Sequence, residues 1–192
     1  MVKTMEQEII INVLDKNLTE FDGSNENPKE ENLKIALSSF LAKMQTSHPS
    51  EEFIGCASSF FAELSRKDFN YFVLQIPLEH FFTDEDEVYN EANLVSLRKI
   101  VQQADSSTGI GGFAFCDSIP ILIQPTYQTG KYSFDEITAC LKHIARRLKK
   151  EKAICGFIFN RETTSELEKK EARQAFANEL LEKHPQYKFY LV

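Results

Sequence analysis

A thiol becomes a nucleophile when a base removes its proton, and this chain holds residue types for such a pair. Cys56, in FIGCASSFF, falls near the start of a predicted helix, where the helix dipole lowers a thiol pKa. His80, in LEHFF, is the candidate base, and Asp117 or Gln124 would orient it. The spacing argues against chemistry. Cys56 sits six residues past the predicted cap Ser50, beyond the first turn where the dipole acts. It also shares the apolar side with Phe53, Ala57 and Phe60, which reads as a buried structural cysteine.

A second grouping is GIGGFAFCDSIPILIQPT, over 109–126. Cys116 and Asp117 end one short apolar run, and Gln124 lies on the next. A metal-dependent nuclease core needs an acid on the first strand and an acid plus lysine on the second. Here the second strand offers an amide followed by Pro125, and an amide lacks the charge to hold a hard cation. The glycines Gly109, Gly111 and Gly112 precede a strand, whereas a phosphate-binding loop follows a strand and opens a helix. The element order from this hairpin onward resembles that of the zinc-dependent nucleoside deaminases. Those enzymes carry H-x-E at one helix start and P-C-x-x-C at the next. This chain has TYQTGKYSF and FNRETTSEL there, with neither His nor Cys, so the resemblance implies no zinc chemistry.

His48, His80, His143 and His184 form no i, i+3 or i, i+4 pair, so no histidine metal motif is present. His48 and His184 each precede a proline at a helix end, where an imidazole complements the C-terminal dipole. Two charge clusters remain. KHIARRLKKEK places Arg146, Arg147, Lys149 and Lys150 at the end of a helix, and TDEDE places Asp84 and Glu85 in a short acidic run. The acidic run lacks the glycine of a calcium-binding loop.

These residues need a frame. The chain has 192 residues, 42% hydrophobic and 27% charged, which suits one globular domain rather than a disordered chain. Sixteen Phe and no Trp point to a Phe-packed core. No apolar run reaches the roughly 20 residues of a membrane span, and MVKTMEQEII lacks the order of a secretory signal. Four scattered cysteines without C-x-x-C suit reduced thiols in a cytoplasmic chain. The net charge of −7 disfavours general nucleic-acid binding. The charge is segregated: 68–97 has seven acids and no Lys or Arg, while 142–152 has six Lys or Arg and one Glu.

Apolar periodicity predicts helices in the N-terminal third, 1–66, packed on an α/β core over 67–192. Ile10, Val13, Leu14, Leu18 and Phe21 form one stripe, although IIINVL also suits a strand. Leu33, Leu37, Phe40, Leu41 and Met44 form another. FNYFVLQIPL is apolar on both faces, as an interior strand is. Thr83 caps a predicted helix to about Ala104, with Val88, Ala92 and Val95 inward and Leu94 and Val101 as further inward candidates. FAFCD and IPILIQ form a hairpin. Ser133 and Glu136 make a capping box before a helix, KAICGFIFN is a buried strand, and Ser165 and Glu168 cap a helix to about His184. KFYLV is the last strand. The expected architecture is a mixed α/β fold, with β-α-β-β-α-β-α-β forming a five-stranded mixed sheet flanked by helices.

Each catalytic pattern fails at a named residue, so the expected function is non-enzymatic binding of another protein, as an adaptor, chaperone-like subunit or regulator. The expected interface joins Arg146, Arg147, Lys149 and Lys150 with Asp84 and Glu85, and takes exposed Phe81 and Phe82 as anchors. No cofactor is expected. The competing expectations are a thiol hydrolase using Cys56, His80 and Asp117, and an inactive relative of a nuclease or deaminase fold.

Overall fold

The computed structural model describes residues 12–21, 26–38, 69–83, 88–105, 119–128, 130–159 and 170–192, the first two segments essentially as backbone. Six strands and three α-helices lie in these segments: β1 (Asn12–Phe21), β2 (Glu26–Ser38), β3 (Tyr71–Pro77), α1 (Glu91–Asp105), β4 (Ile121–Thr126), α2 (Phe134–Leu148), β5 (Ile154–Phe159), α3 (Lys170–Lys183) and β6 (Lys188–Leu191).

The core is a four-stranded parallel sheet in the order β3-β4-β5-β6, joined by the three helices, and β1 and β2 complete it to a closed barrel in the order β1-β2-β3-β4-β5-β6. Sequential order has a consequence. Crossovers between parallel strands are right-handed, so a sheet that always steps the same way puts every helix on one face. The packing follows this rule. Leu97, Ile100 and Val101 of α1, Ile137, Leu141 and Ile144 of α2, and Phe176 and Leu180 of α3 share one cluster with Phe72, Leu74, Ile121, Ile123, Phe157 and Phe189. The alternate residues Val73, Leu122, Ile158 and Tyr190 form a separate, smaller cluster on the other face.

Phenylalanine supplies much of the filling. Phe157 meets Phe176 and Tyr187 edge-on at 5.6 and 5.7 Å and stacks on Phe189 at 6.0 Å. Each fully buried ring stabilises the fold by about 1.5–3 kcal/mol of transfer free energy.

Two local features set the sheet. Pro120, which has no N–H to donate, stands just before β4 and accepts a hydrogen bond from Phe72 N at 2.8 Å. Between Ile121↔Ile154 and Leu122↔Gly156 the β4–β5 register slips past Cys155, a β-bulge. A Cβ on Gly156 would meet the β6 backbone, 2.7 Å from Lys188 N and C. Only glycine lets the two strands approach this closely.

The capping box is present as its sequence implies. Glu136 N donates to Ser133 Oγ at 3.3 Å and Ser133 N donates to Glu136 Oε2 at 2.7 Å. The final strand, the buried strand over 154–159 and the end of α3 near His184 also match the pattern read from the sequence.

Several expectations are corrected. Over 12–21 and 26–38 the chain forms antiparallel strands rather than helices, with Leu14 opposite Ile35 and Leu18 opposite Glu31. β1 pairs with β6 through Thr19 and Glu20, and β2 runs parallel to β3, so the antiparallel element of the sheet is β1. The short apolar run FAFCD, expected as the fifth strand, lies outside the described residues, as does all of 39–68. The helix after β3 begins at Glu91, not after Thr83. Asn90 caps it by accepting from Asn93 N at 3.1 Å. That start turns the helix. Leu94, Leu97, Ile100, Val101 and Ala104 face inward, while Val88 and Val95 are 46% and 51% exposed.

Candidate functional site

The most developed polar arrangement lies where α1 begins against α2. Phe82 and Tyr89 form an isolated antiparallel bridge, and Thr83 Oγ1 donates to Val88 O at 2.8 Å. These contacts bring together the two ends of the acidic run, whose Asp84 and Glu85 lie outside the described residues. Aromatic rings then step along the start of α2. Tyr132 stacks on Phe82 at 4.1 Å, Phe82 approaches Tyr89 at 6.3 Å, and Tyr89 lies over His143 at 4.5 Å.

His143 is the hub. Arg146 NH2 lies 2.7 Å from His143 Nδ1, and Glu91 Oε1 lies 2.9 Å from His143 Nε2. A guanidinium only donates, so Nδ1 must accept. The proton therefore sits on Nε2 and is donated to Glu91, which makes His143 the neutral Nε2–H tautomer. Arg147 NH2 donates to the same Glu91 oxygen at 2.6 Å. Slight burial pushes the Glu91 carboxyl upward, but the hydrogen bonds from Arg147 and His143 outweigh it and hold the group below the usual carboxylate range.

Beside this network is a groove of about 450 Å³ lined by Val88, Tyr89, Glu91, Ala139, His143 and Arg146. Both nitrogens of His143 are engaged, one by Arg146 and one by Glu91. The groove also presents the exposed Val88, the short side chain of Ala139 and the Arg146 guanidinium.

The four basic residues are all exposed but have different neighbours. Arg146 and Arg147 face α1 through His143 and Glu91. Lys149 lies on the α3 side, where its charge helps to lower the pKa of His184. Lys150 is exposed. The aromatic anchors also separate. Phe81 is 2% exposed and belongs to the core, which corrects its reading as a surface anchor. Phe82 is half-buried and stacked against Tyr132.

Of the thiol triad, His80 is half-buried in a short 3-10 turn (Leu78–His80), and its carbonyl accepts from Asn93 Nδ2 at 2.6 Å. Cys56 and Asp117 lie outside the described residues. Burial pushes the thiols of Cys140 and Cys155 up to about 12, which favours their protonated forms. Gln124 is paired with Gln75, whose Nε2 donates to Gln124 Oε1 at 2.9 Å. Among the described residues no group of three or more His, Cys, Asp or Glu is placed to hold a metal ion, and no helix is long and apolar enough to cross a membrane.

Sequence reasoning missed Glu91, Arg98 and Glu151. Arg98 Nε donates to Glu151 Oε1 at 2.5 Å, and Gln102 Nε2 reaches the same oxygen at 3.4 Å. The only signal was spacing. Glu91, Val95, Arg98 and Gln102 recur at i, i+4, i+7 and i+11, which puts them on one stripe of α1. No protein-family model, no curated protein and no solved structure matches the chain.

Proposed function

We propose that this chain is a non-enzymatic cytoplasmic protein-binding protein, an adaptor, chaperone-like subunit or regulator, and that it presents the seam between α1 and α2 to its partner. One observation carries the reading. The seam sets the exposed Val88 in one groove with Arg146, and the exposed Val95 lies one turn after Glu91 on α1, while the imidazole beside Arg146 is neutral and engaged at both nitrogens. Exposed apolar side chains rimmed by guanidinium groups suit a protein interface, where arginine is enriched and aliphatic area gains from being covered. The Arg147–Glu91 ion pair ties α1 to α2, and the Arg98–Glu151 pair ties α1 to the turn that follows α2, so this surface is braced at both points.

The test is purification of the tagged chain from its native cytosol after cross-linking, alongside the Arg146→Glu/Arg147→Glu double variant. The expected result is a stoichiometric protein partner that the double variant loses. A monodisperse monomer that recovers no partner would sink the reading. A partner fully retained by the double variant would move the interface off this seam.

A further inference from the structure

We propose that the groove between α1 and α2 binds a side-chain carboxylate of an acidic, aliphatic-rich peptide segment, held by Arg146. The inference rests on the protein-binding reading above and names the chemistry of the partner. It starts from which charges in the groove are already compensated. Glu91 is matched by Arg147 at 2.6 Å. His143 is neutral, with Nδ1 accepting from Arg146 and Nε2–H donating to Glu91. Among the described residues of the groove, Arg146 is the charge left over. Its contact to an uncharged nitrogen neutralises nothing and uses one of the five N–H donors of a guanidinium. The remaining donors form the fork that carboxylates occupy with two parallel hydrogen bonds.

The apolar half of the groove selects further. Val88 is 46% exposed, and Ala139 ends at Cβ where a longer side chain would fill the space. The volume of about 450 Å³ takes a carboxylate side chain together with one neighbouring aliphatic side chain. A phosphate fits less well. Phosphate recognition uses clusters of arginines, and here Arg147 is held by Glu91, whose own half-exposed carboxylate lines the same groove and repels a dianion.

The experiment titrates the ¹⁵N-labelled full chain with capped hexapeptides: one of alternating Leu and Glu, one with Gln for Glu, one with Ser for Leu, and one with phosphoserine for Glu. The Leu/Glu peptide is expected to shift the amides of Val88, Glu91, Ala139, His143 and Arg146. The Gln and Ser peptides should each bind about tenfold more weakly or less. Arg146→Ala should cost about tenfold, and Arg146→Lys at least about threefold, because an ammonium has no fork. Ala139→Leu should block the groove with every charge in place.

Failure of the Leu/Glu peptide to shift these amides at millimolar concentration would overturn the proposal, as would binding indifferent to Arg146→Ala. Tighter binding of the phosphoserine peptide would overturn the carboxylate assignment. A native partner that Ala139→Leu retains would overturn this inference and leave the broader protein-binding reading standing.

Discussion

Arg98 and Glu151 meet at 2.5 Å across 53 residues of sequence, and the two ends of the pair are in different surroundings. The Glu151 side chain is 6% exposed and that of Arg98 is 47% exposed. Glu151 also holds the turn between α2 and β5, donating its N–H to Leu148 O at 2.9 Å and accepting from Ile154 N at 3.2 Å. The pair therefore fixes α1 to the start of β5. Removing Arg98 leaves a buried carboxylate with Gln102 as its remaining side-chain donor, whereas removing both partners leaves no charge to solvate.

The expected pattern in a double-mutant cycle follows from that asymmetry. Arg98→Ala should destabilise by about 1–2 kcal/mol and Glu151→Ala by about 1–3 kcal/mol, with solvent at Arg98 reducing both figures. The double variant should cost clearly less than the sum. Urea unfolding of the four proteins measures this, and strict additivity would show that the pair contributes nothing as a pair.

Thr138 makes the opposite case. It lies on the face of α2 that packs toward α3, is 6% exposed, and among the described residues its hydroxyl has no hydrogen-bond partner. A buried hydroxyl without a partner keeps its desolvation cost and gains nothing in return. Thr138→Val keeps the shape and removes the polar atom. It should stabilise the protein by about 1 kcal/mol, raising Tm by about 2–4 °C for a chain of this size. A lower Tm would mean that the hydroxyl is satisfied in solution.

How much of this was legible in the sequence depends on the range of the signal. The capping box Ser133–Glu136 and the stripe Ile137, Leu141, Ile144 and Leu148 are local, and α2 came out as read. The apolar runs at 71–77 and 154–159 were readable as interior strands because both faces are covered. The start of α1 was misread because Thr83 and Asn90 are both good caps, and the choice rests on the Phe82–Tyr89 bridge, a tertiary contact. Phe81 and Phe82 are adjacent and identical in type, yet one is core and the other half-exposed. Glu151, inside a run of lysines, reads as a solvated charge until Arg98 is brought to it. Ion pairs across 50 residues leave no periodic trace, so the site network was invisible while the frame was not.

Gly156 should be the least replaceable residue of the sheet. It lies at the β4–β5 bulge, and a Cβ there would meet the Lys188 backbone, which is itself held in the β5–β6 ladder. A flexible side chain could move aside; a paired strand cannot. Gly156→Ala should destabilise by about 3 kcal/mol or more, or prevent folding, because β6 must separate from β5 to admit one methyl group. Recovery of a soluble variant with unchanged Tm would mean that the strands are not this close.

Stability should fall in two steps as pH is lowered, and each step belongs to named groups. Burial first, then the charges of Lys149 and Lys183, lower the pKa of His184 below its ordinary 6.5, so the folded protein favours the neutral ring despite its place at the end of α3. Below pH 6.5 the unfolded chain takes up a proton that the folded chain resists, so stability declines from there toward the lowered folded value. Glu179, hydrogen-bonded by Lys142, and Glu91, hydrogen-bonded by Arg147 and His143, are both held below the ordinary 4.5. Their contribution is present above pH 4.5 and is lost as pH falls through the folded values. Unfolding free energies measured in urea from pH 8 to pH 3.5 should show both declines. His184→Asn should flatten the first and leave the second, and Glu91→Gln with Glu179→Gln should do the reverse. A first decline unchanged by His184→Asn would assign it to another group.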